Sequence, residues 1–232
     1  MAFTRAQSTS TFTVIGSTAV LNSSSGGLGV MTVGHLMYIC ATVNVSSVSS
    51  PTCKDEQGNN YLLVGTVVDA NDNDTGMHFK GIVGQALAST ITLAASNSAS
   101  TWSWKPMAVE YGGASASLDG AGAHIEQALA ATSTGSVNLT GLQAGDLIVG
   151  SFFDTGLGLG TYTAGAAYAQ VIGGLTSGEL VEDLLAGSGA GTTVVDASLS
   201  HSSIQIAMAI ALLPAGASSA PYINPYPQVI AQ

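Results

Sequence analysis

Apolar residues recur along the chain in short runs separated by clusters of Gly, Asn, Asp and Ser, the pattern of strands joined by turns. Gly34-His35-Leu36 opens the apolar run Met37-Tyr38-Ile39-Cys40-Ala41, and Thr42-Val43-Asn44-Val45 then alternates with the period of two that marks a strand with one wet face. Pro51 stops this segment, and Cys53 sits in a turn-like stretch. Asp55 to Asn60 forms a turn cluster in which Gly58 and Asn59 suit positive φ. Tyr61 to Val68 returns as the next strand. His78 to Val83 and the β-branched Ile91-Thr92-Leu93 follow, and Met107 to Tyr111 closes the series.

The series then repeats. Gly145-Asp146-Leu147 opens Ile148 to Phe152 as Gly34 does Met37 to Ala41. Ala167 to Val171 matches Asn60 to Val64, Ala190 to Val195 matches Ala88 to Leu93, and Met208 to Leu212 matches Met107 to Tyr111. The offsets are 111, 107, 102 and 101 residues (145−34, 168−61, 190−88, 208−107), shrinking in one direction as loops trimmed from the second copy would make them. Two copies are too few for a solenoid and predict two related β-halves packed as one body. Glu179 to Leu185 favours a helix on propensity, but its counterpart near His78 is β-like, so the repeat assigns it to a strand. Ser203 to Leu213 is resolved in the same way.

The predicted organisation is an N-terminal strand or arm (1–33), a first β-half (34–113), a connector (114–144), a second β-half (145–214) and a C-terminal arm (215–232). In the first segment, Phe12 to Ile15 suits a strand on a sheet edge and Asn22 to Gly27 a loop. In the connector, His124 to Ala131 suits either a short helix or an edge strand, and Ser136 to Thr140 alternates. Residues 214–232 place Pro214, Pro221, Pro225 and Pro227 beside Tyr222 and Tyr226. This stretch suits an extended, polyproline-like arm that docks on a neighbouring subunit. The fold class expected is all-β, an antiparallel, jelly-roll-like sandwich of two related halves with extended terminal arms.

Composition narrows the function. Charged residues are 8% of the 232, against about 25% in an ordinary soluble domain. Solubility then comes from hydroxyls and backbone, or surface is buried against partners, which points to a component of an assembly. The net charge of −10 argues against nucleic acid and anionic membranes, and the acids are expected to keep the particle soluble. No apolar run is long enough for a membrane span, and Met1-Ala2-Phe3-Thr4-Arg5 lacks a basic-then-apolar signal pattern, so the chain is expected to be made and used without classical secretion. Cys40 and Cys53 have no framework of paired spacings and read as reduced thiols.

Catalytic and metal motifs are not found. His35, His78, His124 and His201 lie in separate segments without zinc-ligand spacing. Asp69 to Lys80 fails the EF-hand pattern, with Asp74 at the position needing Gly and Lys80 at the one needing Glu; an irregular calcium site stays open beside the plainer reading of a solvated loop with Asx turns. Gly156 to Gly160 has no following Lys-Ser/Thr and is not a phosphate loop. No catalytic, cofactor or metal residue is assigned. The candidate interaction residues are Tyr222, Ile223, Pro225, Tyr226 and Pro227 in the arm, together with Trp102 and Trp104, which either cap the core or form a flat platform for a sugar.

Five stretches carry a resemblance: Asp55-x-x-Gly58-Asn59-x-Tyr61, Ala108 to Gly113, Leu118-Asp119, Gly145 to Gly150, and Glu182-Asp183. In this order they resemble β-sandwich proteins of tailed-bacteriophage particles, over residues 34 to 214. The resemblance implies a virion structural protein, a head decoration or tail component, with phage shell or tail proteins and its own copies as partners. The alternative it leaves is a carbohydrate- or receptor-binding module of a phage tail. The matching residues are turn and strand-end signals, so they imply a fold and no functional residue.

Overall fold

The computed structural model describes residues 2–15, 17–22, 28–85, 88–96, 103–156, 160–173 and 178–217. Among them lie sixteen strands, numbered in chain order, and every strand pairing is antiparallel. One sheet begins with β1 (Thr4–Thr9), β9 (Trp104–Gly112), β4 (Leu36–Val43), β7 (Asp74–Ile82) and β6 (Asn60–Asp69) side by side. It continues through β5 (Ser49–Asp55), β8 (Thr90–Ser96), β3 (Thr18–Asn22) and β2 (Phe12–Ile15). The other sheet runs β10 (Ala114–Leu118), β16 (Gly191–Pro214), β12 (Leu147–Asp154), β15 (Glu179–Leu184) and β14 (Ala169–Gly173), while β11 (His124–Leu142) and β13 (Tyr162–Ala164) also pair with β16.

All eight residues of β4 and all eight of β12 are buried, so each of these strands needs an apolar layer on both faces. On one face of β4, Met37, Ile39 and Ala41 pack with Phe79, Leu21, Ile91 and Leu93, which requires the first sheet to curl back over itself. On the other face Leu36, Tyr38 and Cys40 meet Leu147, Val149, Phe153 and Met208 of the second sheet. The far side of the second sheet repeats the first arrangement: Ile148, Phe152 and Ala209 are covered by Val137, Leu139, Val195 and Leu199. The ribbon of β11 and β16 reaches both layers because its register slips between Leu129 and Thr132 and again between Thr132 and Thr134. Such bulges bend a ribbon. The result is a stack of layers around three apolar cores, the middle one shared by the two halves.

The repeat read from the sequence is visible as topology. The orders β1-β9-β4-β7-β6 and β10-β16-β12-β15-β14 place equivalent strands in equivalent positions. The turns that open β4 and β12 both use a glycine at positive φ, Gly34 at 86° and Gly145 at 99°. The sandwich is therefore antiparallel, all-β and built from two related halves. Glu179–Leu184 and the end of β16 are strands, as the repeat requires.

One open choice is resolved and two local expectations are corrected. His124 to Ala131 takes the strand alternative: pairing with β16 makes it the start of a 19-residue strand. The N-terminal segment supplies three strands rather than one, and they belong to the chain's own sheet, β1 on β9 and the β2–β3 hairpin on β8. Cys53 is on β5, not in a turn. Both cysteines are free and buried, and burial pushes both thiols up, which leaves them poor nucleophiles.

The two sheets approach closely at Gly76, where a Cβ would come within 2.7 Å of Ile206 Cγ2 and 3.3 Å of Val67 Cγ1. Gly76→Val is expected to lower stability by about 1–3 kcal/mol through overpacking. Gly189→Ala, with nothing within 4 Å of the added carbon, serves as the control. Urea midpoints for the two variants check this.

Candidate functional site

The sequence candidates divide sharply. Tyr222, Ile223, Pro225, Tyr226, Pro227 and Trp102 lie outside the described residues. Trp104 opens β9 and is 2% exposed, packed in the first core, so its ring offers no outward platform for a sugar. It fills the core-capping role instead.

The acids behave unlike solvated charges. Asp55, Asp69, Glu110, Asp119, Asp146, Asp154, Glu179, Glu182 and Asp183 are buried, nine of the 14 acids in the chain. Buried carboxylates require donors, and the turn signals of the sequence provide them. Asp55 Oδ1 accepts from the backbone of Gln57 at 3.0 Å and of Asn59 at 2.9 Å, and its Oδ2 from Asn59 Nδ2 at 2.6 Å and the Tyr61 hydroxyl at 3.0 Å. Glu110 accepts from Thr32 N at 2.9 Å, His35 Nδ1 at 2.7 Å and the Gln7 amide. In the loop after β6, Asp69 caps Asn71 N at 3.0 Å and takes the Thr155 hydroxyl at 2.7 Å, so the expected Asx turn forms around a buried carboxylate rather than a solvated one.

One of these groups joins the two sheets. Arg5 on β1 donates to Asp183 on β15 through Nε at 3.1 Å and an Nη at 2.8 Å, and the Tyr111 hydroxyl of β9 donates to the same carboxylate at 3.1 Å. The fork geometry matches a carboxylate bidentately. Other acids have fewer donors. Burial pushes Glu182 up to about 8, its carboxylate accepting, among the described residues, from Gly165 N at 2.9 Å alone, and pushes Glu179 up to about 7. Burial, then a shared hydrogen bond with Asp119, raises Asp146 to about 7. Asp119 goes the other way: against its own burial, donors from Gln143 and the hydrogen bond with Asp146 hold it low.

A second polar chain crosses the shared core. Ser151 Oγ lies 3.0 Å from the Tyr38 hydroxyl, which lies 3.3 Å from His78 Nδ1. The His78 ring stands edge-on to Tyr38, and its Nε2 is 2.6 Å from Glu126 Oε1, which is also 2.9 Å from His124 Nδ1. His78 is fully buried, and burial holds it below the usual imidazole range. The strand period explains part of this: His124 and Glu126 are two apart on β11 and share a face. The rest comes from packing of one sheet on the other, which brings His78 of β7 against Glu126 of β11 across 48 residues of chain. Sequence spacing contained His124-x-Glu126 but nothing that pointed to His78. Among the described residues, these three are the group whose His, Cys or carboxylate atoms converge, all within 4.8 Å of one another. The carboxylates of the 69–76 loop form no such group.

No protein-family model matches the chain, and no curated protein matches it. Three solved structures align over most of its length. The major capsid protein of bacteriophage PM2 covers 94% of this chain and 99% of its own at 9% identity, with a TM-score of 0.27. A protein from Geobacillus kaustophilus covers 94% and 99% at 9% identity, with a TM-score of 0.26. A turret protein of Sulfolobus turreted icosahedral virus covers 86% and 100% at 17% identity, with a TM-score of 0.18. Scores this low do not establish a shared topology.

Two outcomes follow from the buried acids. Arg5→Met leaves the buried Asp183 carboxylate, among the described residues, with Tyr111 alone as partner and is expected to cost about 3 kcal/mol, against a change within about 0.5 kcal/mol for Lys54→Met on the surface; chemical denaturation measures both. Glu182 is protonated in the folded chain up to about pH 8 but only to about pH 4.3 when unfolded. Its favourable contribution is therefore present below the unfolded value and is lost as pH rises through about 8. The lowered His78 acts in the opposite direction below its ordinary value. The test is the difference between wild type and Glu182→Gln: urea midpoints from pH 5 to 8 should fall more steeply in the wild type.

Proposed function

We propose that this protein is a non-enzymatic structural component of a tailed-bacteriophage particle, a head decoration or tail protein. It assembles with copies of itself and with the shell or tail protein beneath it. The observation that carries this reading is the free edge of β11. This strand pairs with β16 alone, and among the described residues no strand occupies its other side. From Gln127 to Leu142 it contains no charge and no proline, and Ala128, Ala130, Ala131, Ser133, Thr134 and Ser136 are exposed. Monomeric proteins protect long edges with charges, prolines or a covering element, because an open edge templates pairing with another chain. An unprotected neutral edge of this length suits strand addition by a neighbour.

The inward placement of the acids supports the same reading. With nine of 14 acids buried, much of the outer surface is Ser, Thr, Ala and Gly, which packs against a neighbour with little charge to desolvate. The resemblance of the turn motifs to phage β-sandwich proteins supports the particle as the setting.

Two measurements test the proposal. Ala130→Lys combined with Thr134→Lys places charge on the exposed edge and is expected to abolish self-association in sedimentation velocity, with stability changed by less than about 1 kcal/mol. Unchanged association would remove the edge from the mechanism. Mass spectrometry of density-gradient-purified particles should find the chain in fixed stoichiometry to the major shell or tail protein; its absence would overturn the virion role.

A further inference from the structure

We infer that His78, His124 and Glu126 form a zinc-class metal site that ties the two sheets of the sandwich together. The proposal is independent of the assembly role. The three donor atoms, His78 Nε2, His124 Nδ1 and a Glu126 carboxylate oxygen, lie within 4.8 Å of one another. Two imidazoles and a carboxylate are a donor set that zinc and its neighbours accept, with a fourth position left for water. Calcium and magnesium prefer oxygen donors and are disfavoured by the two nitrogens.

The surroundings are shaped for this cluster. Gly65 pairs with His78 across β6 and β7, next to a register slip between Leu63 and Gly65. A Cβ at position 65 would fall 2.2 Å from Glu126 Oε1 and 2.3 Å from its Cδ, so the carboxylate occupies the space a side chain would fill. The outer nitrogen of His78 is held by Tyr38, itself held by Ser151, which fixes the ring with Nε2 turned toward the other two donors. Metal-binding imidazoles are oriented by such outer hydrogen bonds. The one lysine close by on β7, Lys80, turns its amine to the Ala116 carbonyl. His124 and Glu126 reach the surface, their side chains 32% and 15% exposed, which gives an ion and its water a route in.

The contacts of 2.6 and 2.9 Å to Glu126 are hydrogen bonds. Bonds of about 2.0–2.1 Å to a tetrahedral ion set donors about 3.4 Å apart, so loading opens these contacts by under about 1 Å. Rotation of the two part-exposed side chains is enough, with buried His78 staying in place.

The test uses the untagged full chain, stripped with chelator, dialysed and titrated with zinc chloride alone. One zinc per chain is expected after gel filtration, by elemental analysis, with a thermal midpoint raised by about 5–10 °C at a hundredfold excess over Kd. His124→Ala and Glu126→Gln should each weaken zinc binding by at least about tenfold. His201→Ala should leave it unchanged. Circular dichroism of the metal-free variants confirms that they fold; His124 is part-exposed, so its loss leaves the core intact. Failure of the wild-type chain to take up stoichiometric zinc, or uptake that both ligand variants retain, would overturn the site. Calcium binding that these variants abolish, with no zinc binding, would overturn its donor chemistry.

Discussion

The structure follows from two strands that have no wet face. β4 and β12 are buried from end to end, so each must be covered twice. A single two-layer sandwich covers every strand only once. The chain meets the requirement by curling each half over one side of its central strand and placing the two remaining faces against each other. Three cores result where a simple sandwich has one, and the middle core is the contact between the copies. The halves are therefore not beads on a linker. Each completes the other's interior, and neither retains a full set of covered faces alone.

That same requirement explains the acids. Stacked layers bring turns and strand ends into dry surroundings, where backbone amides left by irregular connections need acceptors. Asp55 and Glu110 serve this purpose within the first half, while Asp183 accepts side-chain donors, Arg5 and Tyr111, between the sheets. A chain with few charges thus spends most of its acids inside. The neutral outer surface and the polar interior are two consequences of one layout.

Much of the fold was legible in the sequence because strands and repeats are local signals. Apolar runs located β4 and β12, and the repeat correctly overruled helix propensity at Glu179–Leu184. The alternation at Ser136 to Thr140 appears as alternating burial. What sequence missed depends on contacts between distant segments of different sheets. Arg5 meets Asp183 across 178 residues, and His78 meets Glu126 across 48. No spacing rule reaches that far. The acids read as a solubilising coat because composition counts charges without placing them, and His124 to Ala131 stayed ambiguous because its strand character comes from β16. Of the tryptophan pair, only Trp104 is described, and its burial follows from β9 lying against the first core.

The polar groups of the middle core also show where the two copies have diverged. Their central strands retain the same positions and similar apolar faces, yet the contacts between them are unlike. Tyr38 and His78 from the first half meet Ser151 from the second, and Arg5 from the N-terminal strand meets Asp183. A symmetric apolar interface between related halves would permit alternative registers and exchange between chains, since apolar contacts are non-directional. Hydrogen-bonded groups that match in only one arrangement remove that freedom, because any slip leaves a buried carboxylate or imidazole without its partner. The unlike residues at the seam therefore set the pairing of the halves, while the like residues around them supply its strength.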